Sequence, residues 1–182
     1  MSTIKVENLT GITSGANANK IIVPSGQTLD ASGGTLVPSA GAVMQVKSTG
    51  TTAWTTLAST SYVDVFTLSI TPAATTSNVL VILHINGVTI SADNQFGTLE
   101  LYRDNTLIRR ISDILGYSIN HTHYNTDMGC SYLDEGVSTT SAVTYKLKMK
   151  YSSSSTGRIG WNNYATTNNK TSSVMTIMEI AG

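Results

Sequence analysis

The stretch SNVLVILHINGVTI, residues 77–90, holds the longest apolar run in the chain. Alternate residues of a strand point to opposite faces, so Val79, Val81, Leu83 and Ile85 make one fully apolar face while Leu80, Ile82, His84 and Asn86 make the other. The first face is core. The second starts apolar and turns polar at His84 and Asn86, which suits a central strand covered by a sheet on one side and by a half-polar layer, such as another subunit, on the other. Gly87 is expected to end the strand. The apolar run is far too short to span a bilayer, so no membrane insertion is expected.

Around this stretch the composition favours short strands and tight turns. Among 182 residues only 12% are charged, while Ser, Thr, Gly and Asn are abundant and no long helical period rich in Ala, Glu, Lys and Leu occurs. The 11 basic and 11 acidic residues cancel, so nothing draws the chain electrostatically to nucleic acid. The single cysteine, Cys130, excludes an internal disulfide framework and reads as a small buried hydrophobe. The opening MSTIKVENLTG lacks the cationic start and apolar segment of a signal peptide, so synthesis in a cytoplasm is expected.

Residues 1–42 differ in texture from the rest. Their apolar residues come in small isolated groups, Ile4 and Val6, Leu9 and Ile12, then Ile21, Ile22 and Val23, separated by Gly, Ser, Asn and Asp. No such group builds a core alone, so the segment is expected to be an extended N-terminal arm or shaft that anchors the protein to a partner or winds against copies of itself. Pro24 and Pro38 fall in turns.

Residues 43–182 alternate strand and turn. Residues 43–47 form a short strand; residues 62–70 put Phe66, Leu68 and Ile70 on one face and stop at Pro72. Residues 98–103 and 106–111 are joined through Asp104 and Asn105, two residues that tolerate the left-handed conformation a hairpin turn needs. A short strand is expected at 128–133. The cleanest alternation is at 143–151, where Val143, Tyr145, Leu147, Met149 and Tyr151 face inward and Thr144, Lys146, Lys148 and Lys150 outward, the lysines forming a solvated row that discourages edge pairing. A further short strand follows at 158–161. The last strand, 174–180, is apolar on both parities, with Val174, Met178 and Ile180 on one and Met175 and Ile177 on the other, and is expected to be covered on both faces. Eight or so even strands without a helix predict an all-β, jelly-roll-type β-sandwich. Apolar residues beyond the needs of one core predict an oligomer.

Four segments carry a family resemblance: IIVPSGQTLDASGGTLVPSAGAVMQV, SYVDVFTLSITPAATTSNVLVILHING, LELYRDNTLI and the terminal SSVMTIMEIAG. In order and spacing they resemble a module recurrent in tail fibres and other virion proteins of marine tailed phages, over nearly all the chain from about Lys20 onward. The resemblance implies a homotrimeric fibre whose C-terminal knob is similar to the tumour necrosis factor and complement globular-head folds, located in the virion and bound to other virion proteins of tail or capsid through its arm. The chain is short for such a fibre and has no large adaptor before the arm, which keeps open a capsid-decorating or head-fibre trimer; a lectin-like binding module would use the same sandwich without needing the arm.

On this reading the trimer interface is expected at Leu80, Ile82, His84, Met175, Ile177 and Met178. Two irregular loops have the ring and amide content of a glycan- or protein-contact surface on a host cell, with Tyr117, His121, His123, Tyr124 and Asn125 in one and Trp161, Asn162, Asn163 and Tyr164 in the other. His121 and His123 would share a strand face near Asp127 and Cys130. Two histidines in a Tyr- and Asn-rich loop read as surface hydrogen-bonding groups, and neither metal nor cofactor is expected. Catalysis finds no support, because no nucleophile elbow or phosphate-cradling glycine loop occurs and the carboxylates show no acid and base spacing.

Overall fold

The computed structural model describes residues 13–15, 23–28, 38–51, 55–57, 59–90, 94–115, 124–152, 157–159 and 172–182, with the backbone alone described at 55–57, 90, 124, 125 and 157–159. The chain divides into two compact units, Met1–Val37 and Pro38–Gly182. In the first, the amide of Gln27 donates to the Pro24 carbonyl at 3.0 Å across Gly26, whose φ of 81° is the left-handed value that the third position of such a turn requires. Val23 beside it is 41% exposed; Ile4, Val6, Leu9, Ile12, Ile21 and Ile22 lie outside the described residues.

The second unit is all-β, and no helix occurs among the described residues. Its strands are β1 (Val43–Thr51), β2 (Thr55–Leu57), β3 (Val63–Ile70), β4 (Asn78–Ile90), β5 (Gly97–Arg103), β6 (Thr106–Leu115), β7 (Tyr124–Asp134), β8 (Val143–Tyr151), β9 (Gly157–Ile159) and β10 (Ser173–Ile180). They form two antiparallel sheets. One holds four long strands in the order β1-β10-β4-β7, extended by the three-residue strands β9 and β2; the other runs β3-β8-β5-β6. The two sheets pack face to face as a β-sandwich.

The core lies between them. Val79, Val81, Leu83 and Ile85 are at most 2% exposed, as the alternation of residues 77–90 predicts, and they meet Phe66, Ile70, Leu99 and Leu101 from the facing sheet. Val143, Tyr145, Leu147, Met149 and Tyr151 of β8 are likewise at most 2% exposed. The hairpin forms at Asp104 and Asn105, with Asp104 at φ 53°. At the end of the chain, the Gly41 amide donates to the Ala181 carbonyl and the Ala181 amide to the Ala42 carbonyl, at 2.7 and 2.9 Å, which ties β10 to the start of β1.

Three expectations change. Gly87 does not end the central strand: the pairing of β4 with β7 shifts register between Ile85 and Val88, Gly87 takes a φ of 64°, and its amide donates to Asp127 Oδ1 at 2.7 Å. It is a bulge, after which the strand runs on to Ile90. β1 and β7 are longer than expected because ladder pairing with β10 and β4 carries their polar residues. β10 is covered on one face only, with Met175 and Ile177 buried and Val174, Met178 and Ile180 half-buried.

Gly97 opens β5 against the core, where an added Cβ would lie 2.5 Å from Met149 Cε, the far end of a flexible side chain that can shift to make room. Gly97→Ala is therefore expected to cost no more than about 1 kcal/mol, read as a small change in the urea midpoint.

Candidate functional site

Residues paired across antiparallel strands share a face, so the register lays out the surfaces of each sheet. On the outer face of the larger sheet Val46, Met178, Leu80 and Leu133 stand side by side across β1, β10, β4 and β7. This row is apolar throughout, with Val46 54% and Leu133 41% exposed. Val43 and Ile180 adjoin it on one side; on the other follow Ser48, Thr176, Ile82 and Ser131, and then Gly50, Val174, His84 and Gly129. The face therefore grades from apolar to polar along β4, as the sequence predicts.

This geometry divides the six residues expected at a subunit boundary. Leu80, Ile82 and Met178 are half-buried and His84 exposed, all on the outer face. Met175 and Ile177 have no exposure and sit in the core of a single chain, so they have no surface to offer another copy. Their assignment to the interface is corrected on that ground. β10 is apolar on both parities, and only its pairing with β1 and β4 decides which parity faces inward.

Of the residues expected to contact a host surface, Tyr117, His121, His123, Trp161, Asn162, Asn163 and Tyr164 lie outside the described residues. Tyr124 and Asn125 are placed by backbone alone, as the first two residues of β7, opposite Ile90 and Thr89. Asp127 accepts from the Gly87 amide, and Cys130 is half-buried against the core. No group of three His, Cys, Asp or Glu side chains among the described residues is arranged to hold a metal ion.

The outer face of the smaller sheet carries a different chemistry. Glu100, Tyr102, Lys146, Lys148 and Lys150 share it through the pairing of β5 with β8. The lysines are not a simple solvated row. The Lys148 ammonium lies 4.9 Å from the Tyr102 ring centre and 3.4 Å from Asp64 Oδ1, and the Lys150 ammonium lies 4.6 Å from the Tyr62 ring centre, within cation–π reach. The two tyrosine rings meet edge to face with centres 6.4 Å apart.

Beneath them Glu100 is 1% exposed. Its Oε1 accepts from the Arg110 guanidinium at 2.9 Å and its Oε2 from the Tyr102 hydroxyl at 2.8 Å. Burial opposes ionisation of the carboxyl, but Tyr62, Tyr102 and Arg110 together hold its pKa below the ordinary value. The Tyr62 hydroxyl is buried and lacks a hydrogen-bond partner of good geometry; burial first, and then the nearby Glu100 carboxylate, push its pKa up to about 12.

Next to this cluster a cleft of about 450 Å³ opens at the end of the sheet where β3 and β5 begin and β6 and β8 finish. All four strands, or the residues just outside them, supply its wall: Tyr62, Phe96, Thr98, Arg110, Asp113 and Lys150. Register shifts at three places between β5 and β6 bend this edge of the sheet. Sequence reasoning missed the cleft because its residues are spread over residues 62–150, and only strand pairing brings them together.

No protein-family model matches the chain, and no curated protein matches its sequence.

Proposed function

We propose that the chain is a virion structural protein, a homotrimeric tail fibre that joins the particle through residues 1–42, presents a jelly-roll sandwich outward and assists attachment to a host surface. The observation that carries this reading is the partly exposed apolar row of Val46, Met178, Leu80 and Leu133, because a contiguous apolar band on a sheet face is the mark of an association surface. The strand orders support the jelly roll. With β2 and β9 set aside, the eight long strands divide into β1-β10-β4-β7 and β3-β8-β5-β6, every connection but the β5–β6 hairpin crossing between the sheets, as two interlocked Greek keys do. The resemblance to phage fibre modules supports the virion setting and the number three.

Leu80→Asp tests the association. Leu80 lies outside the core, so the variant is expected to keep its fold by circular dichroism while sedimentation shows the trimer weakened by about a hundred-fold or more, since an aspartate there would be buried without a partner. A monomeric parent chain, or a variant that stays trimeric, overturns the interface. The virion setting is tested by particle maps, in which density on the tail is expected; density on the shell would make the trimer a capsid decoration, and no density would remove the virion role.

A further inference from the structure

We propose that the cleft at the β6 end of the smaller sheet binds a neutral saccharide unit. The volume, about 450 Å³, lies within the roughly 300–1,000 Å³ typical of small-molecule sites. Its charges are already matched within the protein. Arg110 pairs with Glu100 at 2.8 Å and with Asp113 at 3.2 Å, and Lys150 rests on the Tyr62 ring. Two cations face two carboxylates, so neither an anion nor a cation finds a strong unmatched field there.

What remains is hydrogen-bonding capacity beside apolar surface. The Asp113 side chain is 66% exposed and can accept beyond its single ion pair, and the Lys150 ammonium can donate. Phe96 and Ile114 add carbon surface, and Ile114 is 63% exposed on an edge strand that gains nothing in folding from leaving it in water. A ring with vicinal hydroxyls around its rim and a C–H face matches that combination; a purely apolar or a multiply charged ligand does not.

This site lies on the sheet opposite the proposed interface. It deepens the fibre reading, on which it rests only for the source of the sugar, a cell-surface glycan; binding itself stands on the cleft. Saturation-transfer NMR on the full chain, with the methyl pyranosides of glucose, galactose, mannose and N-acetylglucosamine as probes and glucuronate beside them, provides the test. At least one neutral pyranoside is expected to bind with a dissociation constant on the order of 1 mM, tighter than glucuronate. Asp113→Ala, at an exposed position, is expected to weaken that binding about tenfold or more, the loss of a charge-assisted hydrogen bond. Leu80→Asp should leave it unchanged. Absence of binding across the panel, preference for glucuronate, or binding indifferent to Asp113→Ala overturns the proposal. A trimer that binds no sugar refutes the cleft alone, and a sugar-binding monomer refutes the interface alone.

Discussion

Asp134→Ala is expected to lower the unfolding free energy by about 2–4 kcal/mol, the cost of removing a buried carboxylate from a half-buried guanidinium and a fully buried hydroxyl. Asp134 ends β7 at 3% exposure and gathers groups from three other parts of the sandwich. Arg103 Nη1 donates to its two oxygens at 2.8 and 2.9 Å, the Tyr145 hydroxyl donates to Oδ2 at 2.7 Å, and the Gly136 amide reaches Oδ1 at 3.2 Å. Tyr145 has no exposure, and burial first and Asp134 second raise the pKa of its hydroxyl, so it stays a neutral donor at any working pH. Deleting the carboxylate strands a guanidinium and a fully buried hydroxyl together. Tyr145→Phe keeps the ion pair and removes only one donor, so its cost is expected near 1–2 kcal/mol. Urea unfolding of both variants checks the pair; an Asp134→Ala cost below that of Tyr145→Phe would show that the sandwich ends are not held by this carboxylate.

Glu179→Gln is expected to cost about 3–4 kcal/mol at neutral pH and to flatten the acid limb of the stability profile. Glu179 has no exposure, and its carboxylate accepts from Gln45 Nε2, the Ala73 amide and the Ser77 hydroxyl, each at 2.6 Å. Those contacts fasten β10 to β1 and to the turn between β3 and β4. Burial opposes the charge, but donors from Gln45, Ser77 and the Ala73 and Ala74 amides prevail and hold the pKa below its ordinary 4.5. A depressed folded-state pKa contributes stability that is fully present above 4.5 and is lost as pH falls through the lower folded value. Glu100 is shifted in the same direction and adds to the same window. The side-chain amide of the variant would turn a donor toward donors, which is why an isosteric change costs so much. Unfolding midpoints between pH 7 and pH 3 distinguish the outcomes; a variant whose profile keeps the parent's acid slope would assign that slope to other carboxylates.

The faces of β4 and β8 were legible because the strand period is two and each alternates cleanly, so any register that buries one member of Val79, Val81, Leu83 and Ile85 buries all four. The turn at Asp104 was legible for a local reason, since few residues accept a φ of 53°. The apolar end of the outer face of β4 followed from Leu80 and Ile82 alone.

Only the tertiary structure decided the rest. Met175 and Met178 carry the same chemistry, and neighbours more than ninety residues away in β4 determine that one is core and the other surface. The polar end of β1, residues 48–51, has no strand pattern of its own and becomes strand because β10 offers a ladder. Gly87 carries equal local preference for a stop and a bulge, and the partner strand beyond it chose the bulge. Asp134 meets Arg103 and Tyr145, and the cleft draws on β3, β5, β6 and β8, through pairings between strands remote in sequence. Amino-acid order sets what each strand can bury; the hydrogen-bond register between distant strands sets which side chains finally share a site.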